Sequence, residues 1–595
     1  MNDTPAQPGL FAREIEQNWV QLTLVAWAAI VAWFIVQRWP SIHWLSLGDT
    51  DDNMRLMQVR ALLSGQGWYD LRQYRMNPPG GFNIHWSRIV DLPIAALILG
   101  FRPFVGTAMA ERLACGIAPL LPLSIMLLGI SATLRRLVSP VAWPLGTVFV
   151  VGSTATMLMF MPERIDHHGW QLASLAVVLA GLCDPKARRG GLLVGAASAV
   201  SLAIGLEMLP YAAGAGAIMA LRWVWDRAEA PRMQAYGASL GLGSLAGYLA
   251  FASHDNAALR CDALTPVWLS VMVAAGGLLV ALAALNPASR MVRLAGAVIA
   301  AAVIVAGFAL VFPQCLGRPE QVSPELAREW LANVREAKPI YTHPWRSALP
   351  VAVLPFIGII GAALATWRAR AHDQRIGWAA VLLFTLFAGG MLLWQARAGA
   401  AAQLLAVPGA VALAWIILPW CLASRSMLVR VFGTVAAFLG VSGLFAGLVL
   451  QAAPADKPDA KAAAVRRASA SCPTIPSLSP LDRLPPQTVF TFVDLGPRLI
   501  TITHHSAVAG PYHRNGDAIL DVQHAFKGSA AKFRAIAKRH GATLLLICPN
   551  LAESTIYRAR APGGFYDQLA HDRVPAFLTP LPLPKGSPLR LWRIN

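Results

Sequence analysis

The sequence predicts a polytopic α-helical membrane protein of about thirteen transmembrane helices, ending in an extracytoplasmic α/β domain. Three observations carry that prediction. Of 595 residues, 56% are hydrophobic and 14% charged, and the mean hydropathy of +0.51 lies well above that of a soluble domain. Apolar runs able to cross roughly 30 Å of hydrocarbon recur through residue 451. Short loops rich in arginine alternate with loops that are not, the pattern that orients a chain across a membrane.

In order, the spans fall near 20–38, 112–134, 140–160, 168–183, 190–206, 207–223, 235–252, 264–285, 293–312, 347–366, 376–395, 401–423 and 428–451. The first follows a polar, partly acidic N-terminus without a signal-peptide cleavage pattern, and reads as a retained span. Glu207 and Pro210 interrupt the pair between 190 and 223. Arg135/Arg136, Lys186/Arg188/Arg189, Arg222/Arg227, Arg290/Arg293, Arg368/Arg370 and Arg425/Arg430 share one side, which the positive-inside rule makes cytoplasmic. The N-terminus is then inside and the tail outside, as suits a bacterial-type inner membrane with a periplasmic tail. The net charge of +19 describes this topology, together with attraction to anionic lipid head groups. No basic stretch is interleaved with exposed aromatics, so nucleic acid is not an expected partner.

Cysteine usage agrees with that orientation. Cys115, Cys183 and Cys421 fall in or at the ends of spans, as small hydrophobes do. Cys261 and Cys315 flank one helical hairpin on the outer side, and Cys472 and Cys548 lie in the tail. An even number on the oxidising side predicts two disulfides, one within each region. No CxxC or Cys/His zinc spacing is present.

In this reading residues 1–451 form the membrane domain, 452–475 a linker and 476–595 the periplasmic α/β domain. Two outer loops are long. The first, 40–111, carries the acidic stretch LGDTDDNMRLMQVR and then a Pro78-Pro79-Gly80-Gly81 turn. The second, 313–346, offers a helix capped by Ser323 and begun by Pro324, with Leu326, Trp330, Leu331 and Val334 on one face. The linker, opening AAPADKPDAKAAAVRRASAS, is of low complexity. In the tail, TVFTFVDLG, LITITHHSAVAG and ATLLLICP read as strands and AAKFRAIAKRHG as a helix. No GxGxxG or GxxxxGKS/T follows a strand, so no nucleotide-binding unit is expected.

Two clusters carry chemistry. Asp49, Asp51 and Asp52 crowd within four positions, and their mutual repulsion must be offset by cations or a metal. The segment MPERIDHHGWQL, at the outward end of the third span, supplies Asp166, His167 and His168, oxygen and imidazole ligands suited to Mn²⁺ or Mg²⁺. Taken singly, these are a solvated loop and an interfacial histidine pair. Their emergence on the same outer face is what points to a site.

These residues resemble the GT-C glycosyltransferases, and among them the catalytic subunit of oligosaccharyltransferases. The shared pattern is an aspartate-rich loop after one span, a second acidic motif, about thirteen spans and an external C-terminal domain. That family's first motif reads Asp, five residues, Arg, as Asp49 and Arg55 do. Its second, in archaeal members, reads Asp-His-His, as at Asp166-His167-His168, with the first and third positions on a divalent metal. The resemblance implies a metal held by Asp49, Asp166 and His168 and a sugar donor linked through phosphate or diphosphate to a polyprenyl lipid. The tail has no WWDxG, with which that family holds the serine or threonine of an acceptor sequon. Loop 313–346 has no TIxE or SVSE, although Glu320 and Glu336 lie there. The likeness thus extends to fold and donor chemistry, and the expected acceptor is a glycan or lipid hydroxyl.

Such a donor leaves as an anion while positive charge develops at the anomeric carbon. Asp49, with Asp51 and Asp52 adding local charge, is the candidate to take the acceptor's proton, to bind metal, or both. A divalent cation or an arginine stabilises the departing phosphate. Arg397, at the outer junction of the eleventh and twelfth spans, is the first choice, since a guanidinium fork matches phosphate oxygens; snorkelling to water is the alternative reading. Arg55 and Arg88 are further candidates, though Arg88 and Asp91 also read as an ion pair within the loop. Glu207, a carboxylate at membrane depth, either lines the cavity or bonds a neighbouring helix. His513 and Arg514, at a Gly-Pro turn in HHSAVAGPYHRN, offer contacts to an anionic or sugar acceptor. The rival function is transport or flipping of lipid-linked glycans; the internal repeats and midplane charge pairs of transporters are not seen in the sequence.

Overall fold

The computed structural model describes residues 10–454 and 459–595, and helix lies within each of the thirteen apolar stretches. Seven helical segments are long and apolar enough to cross a membrane alone: Trp19–His43, Asp91–Leu137, Pro266–Leu285, Arg290–Val311, Trp345–Arg368, His372–Met391 and Ala396–Leu422. An eighth is made if Val429–Ser442 and Phe445–Ala452, bent by 96° at their junction, count as one. Trp143–Gly152 and His168–Leu182 are apolar but shorter. The protein is a multi-pass membrane protein. At the centre of its bundle the helix Gly399–Leu422 is buried along most of its length and crosses Trp345–Arg368 closely. A Cβ on Gly358 would lie 2.4 Å from the Ala406 carbonyl oxygen, so only a residue without a side chain allows this backbone approach. Several arginines of the short loops also staple helices together: Arg136 pairs with Asp184, and Arg222 and Arg232 with Glu229.

The tail holds a five-stranded sheet of β1 (Thr488–Phe490), β2 (Ser506–Ala507), β3 (Ala542–Ile547), β4 (Leu578–Leu581) and β5 (Arg590–Ile594), ordered β2-β1-β3-β5-β4. β1 runs parallel to β2 and β3, whereas β5 is antiparallel to β3 and β4. The helix at 530–539 and the strand at 542–547 stand where the sequence put them. One expectation is corrected. The stretch expected as a strand at LITIT is largely the helix Gly496–Ile502, because Pro497 pre-sets its first turn and the helix buries itself on another element. The linker is helical over Ala460–Ser471, an alanine-rich run capped by Asp459, whose carboxylate accepts from the Lys461 N–H at 2.9 Å. Residues 455–458 of that linker lie outside the described residues.

Both long loops are built into the tail. We label the helix Thr50–Leu63 of the first loop α1, His168–Leu182 α2 and Gly496–Ile502 α3. Met54, Met57, Met76, Phe82, Ile84 and Trp86 of the first loop share one core with Val489, Phe490 and Phe526 of the tail. The backbone of Arg75–Asn77 also extends the sheet edge beyond β2: the Asn77 N–H donates to Ala507 O (2.7 Å) and the Ala507 N–H to Arg75 O (3.0 Å). In loop 313–346, Ser323 accepts from the Leu326 N–H at 3.1 Å and caps Pro324–Glu329. That helix is shorter than its apolar periodicity predicts, and Leu331 falls in a 3₁₀ turn. Leu326 is buried against the tail, with Trp330 packed beside it.

Disulfides join Cys261 to Cys315 and Cys472 to Cys548, while Cys115, Cys183 and Cys421 are buried free thiols. Non-reducing peptide mapping of protein from an oxidising compartment is expected to yield those two cross-linked peptides; free thiols at the four positions would reject the pairing.

Candidate active site

The site is assembled where α1 begins. Asp49 is its N-cap, with Oδ1 accepting from the Asp51 N–H at 3.3 Å. This cap places Asp51 and Asp52 in the first turn, at the positive end of the helix dipole. Asp52 is 1% exposed, and its Oδ1 accepts the backbone N–H of Asp166 at 3.0 Å. That bond joins the two acidic segments directly. Arg164 joins them again, its Nη1 lying 2.5 Å from Asp49 Oδ2 and 3.3 Å from Asp52 Oδ2.

Asp166 then turns toward the start of α2. His167 Nδ1 lies 2.5 Å from Asp166 Oδ1, His168 Nε2 3.2 Å from Asp166 Oδ2, and His167 Nε2 3.2 Å from Glu207 Oε1. These approaches are close but not aligned as hydrogen bonds. Asp166 Oδ2 and both ring nitrogens of His167 are buried without a hydrogen-bond partner. One ligand atom from each of Asp166, His167 and His168 lies within 4.8 Å of the others. Orphaned buried atoms of ligand type, converging on one point, fit a divalent cation. Burial, reinforced by Asp166 and Asp49, pushes Asp51 and Asp52 well above the usual carboxylate range. Against the same burial, His167, His168 and Arg164 hold Asp166 well below it, while Asp166 and Glu207 bring His167 up to about 10.

The sequence candidates divide accordingly. The structure brings together Asp49, Asp51, Asp52, Asp166, His167, His168 and Glu207, the last also accepting from Gln171 Nε2 at 2.9 Å. Asp49 turns its carboxylate to Arg164, outside the converging trio, and at 38% side-chain exposure is far more open than Asp52. Arg55 and Arg88, expected as phosphate ligands, are each turned to Asp91. Both are buried there, at 2.9 and 3.1 Å. Arg55 lies over the Trp86 ring, and Arg88 donates to the carbonyls of Gln58, Gly67, Trp68 and Asp70. They brace the first loop. His513 and Arg514 are likewise spent on structure: Arg514 takes both oxygens of Asp262 at 2.7 Å and His513 meets the same carboxylate at 2.6 Å, fastening the tail to the hairpin loop. From loop 313–346 it is Glu325 and Glu329 that grip the tail, through His524, Lys527 and Arg560, while Glu336 is exposed and Glu320 half-buried. Arg397 is exposed, its Nε donating to Gln395 Oε1 at 2.6 Å.

The tail adds groups that sequence reasoning missed. α3 lies on α1: Arg498 donates to Asn53 Oδ1 (3.2 Å), the Thr501 hydroxyl to Asn53 O (3.3 Å) and Arg60 to Thr501 O (2.6 Å). The Tyr512 hydroxyl donates to Thr50 O at 3.0 Å. Asp494, two residues before α3, is exposed, and the nearby Asp49 charge pushes its carboxyl up. Glu553 fixes that turn by accepting the N–H groups of Val493 (3.0 Å) and Asp494 (2.9 Å). For Arg164 the only sequence signal was its place two residues before Asp166; for Asp494 and Glu553 there was none.

No family model and no curated protein matches the sequence. Solved structures do match. An archaeal oligosaccharyltransferase, AglB from Archaeoglobus fulgidus in complex with an inhibitory peptide and a dolichol-phosphate, superposes with a TM-score of 0.66 at 14% identity, over 95% of this chain and 73% of that one. The chain has the AglB fold. The same Archaeoglobus enzyme tethered to an NVT-sequon peptide gives a TM-score of 0.65 at 15% identity, over 93% and 72% of the two chains. Its complex with zinc and sulfate gives 0.57 at 13%, over 87% and 66%.

Proposed function

We propose that the protein is a glycosyltransferase, moving a sugar from a polyprenyl-phosphate or polyprenyl-diphosphate donor to a hydroxyl of a glycan or lipid. The reaction takes place at the outer face of a bacterial-type inner membrane, with the tail in the periplasm. The observation that carries this reading is the junction of Asp49, Asp52, Arg164, Asp166 and His167 within an AglB fold. Asp49, the open carboxylate, takes the proton of the acceptor hydroxyl as the bond to the anomeric carbon forms. Arg164 and the N-terminus of α1 supply positive potential beside it. Asp166 and His168, with His167 adjoining, would hold a divalent ion, Mn²⁺ suiting mixed oxygen and nitrogen ligands, and Asp49 remains the further ligand the family motif implies. Such an ion would offset charge on the departing phosphate. Arg397, exposed at the end of its span, is retained as a phosphate contact.

Transport of lipid-linked glycans is the second reading, and the bonding of α1, whose first turn carries the acidic cluster, to a folded tail disfavours it. The test is lipid extraction from a strain lacking the protein, with mass analysis of polyprenyl-linked sugars. Accumulation of the unspent donor is expected. A pool unchanged in size but altered in its distribution across the membrane would favour the flippase.

A further inference from the structure

Arg164 stands on the oxygens that a cation bound at this site would seek. Its Nη1 contacts the Oδ2 atoms of Asp49 and Asp52 together. The Oδ1 atoms are already committed, Asp49's to the Asp51 N–H and Asp52's to the Asp166 N–H. Of the two carboxylates that Arg164 joins, the oxygens not held by backbone N–H groups are therefore the pair under the guanidinium. Arg164 also lies two residues before Asp166, on the turn that carries the ligand-type trio, and Asp166 feels its charge. Its Nε is buried without a hydrogen-bond partner, so the guanidinium is incompletely satisfied where it rests. A bound divalent ion and a guanidinium are both cations, and at contact distance in a desolvated pocket they repel.

We propose that Arg164 competes with the divalent ion for the Asp49–Asp52 carboxylates, so that the ion enters by displacing the guanidinium and Arg164 sets its affinity. This rests on the metal-assisted reading above. A residue that merely braced the site would act oppositely, since its loss would loosen the ligands and weaken binding.

The experiment is titration of the full-length protein in detergent with Mn²⁺, following free Mn²⁺ by electron paramagnetic resonance. Arg164→Gln is expected to bind Mn²⁺ at least about tenfold more tightly than the wild type. Arg164→Lys, which keeps the charge without the planar fork, is expected to fall between the two and serves if the glutamine variant does not fold. Asp166→Asn is expected to lose the binding. Unchanged or weaker affinity in Arg164→Gln overturns the proposal, as does a lack of Mn²⁺ uptake by both it and the wild type. Sugar transfer by the wild type is measured separately: its absence would count against the proposed function, whereas transfer with unaltered Mn²⁺ affinity would remove the competition alone.

Discussion

Asp166→Asn and Asp49→Asn each lower transfer by about 10²–10⁴-fold, the range for removing a positioned acid–base or electrostatic group, while the protein stays folded in detergent. For Asp166 the loss follows from burial. Its side chain is 1% exposed, and its oxygens lie 2.5 and 3.2 Å from imidazole nitrogens. An amide keeps the volume but replaces one of those oxygens with a donor and removes the charge that gathers His167 and His168. The bond from the Asp166 N–H to Asp52 survives, and the amide oxygen of asparagine can still accept the His167 N–H that Asp166 Oδ1 accepts at 2.6 Å. For Asp49 the structural part of the role also survives. Asparagine caps a helix as well as aspartate does, so α1 still starts at residue 49. What disappears is the open carboxylate facing Arg164. Turnover of a lipid-linked donor, alongside size-exclusion profiles and thermal melting, separates the effects. Normal turnover by either variant at normal expression would remove that residue from the chemistry.

What the sequence discloses tracks where the physics is local. Apolar runs were legible because hydrocarbon demands roughly 20 consecutive apolar residues, and helix lies within all thirteen stretches. Asp49 and Asp166 could be paired by topology alone, since both follow outward ends of spans. The strand expected at LITIT failed because its isoleucines and threonines satisfy a tertiary demand: as the helix α3, the segment reaches Asn53 and Arg60 of α1. Arg55 stands at the spacing of the family motif, yet its guanidinium lies on Asp91, 36 residues away, a pairing that no spacing rule anticipates. Arg498 reaches Asn53 only because the first loop is threaded into the tail's core, a bond across 445 residues. Motif reading found the acids, and the cations that balance them had to come from the fold.

Metal dependence without sequon dependence is the second large effect expected. Asp166 and His168 lie at one helix start, and a buried oxygen of Asp166 and both His167 nitrogens lack hydrogen-bond partners. A chelator is therefore expected to stop transfer and Mn²⁺ to restore it, more fully than Mg²⁺, which tolerates imidazole poorly. The acceptor half of the prediction comes from the tail. At the turn before α3 the chain reads Phe492-Val493-Asp494, and Phe492 and Val493 are buried in the tail's core at 0% and 1% exposure. Only Asp494 of these reaches outward, and the tail has no WWDxG, the motif with which the resembled family holds the serine or threonine of a sequon. A polyhydroxylated glycan or a lipid hydroxyl needs no such motif. Purified protein with its lipid-linked donor, assayed with and without chelator, tests the metal; a sequon peptide offered beside a glycan acceptor tests the pocket. Full activity in chelator would take the metal out of the mechanism, and efficient peptide glycosylation would place the acceptor among proteins after all.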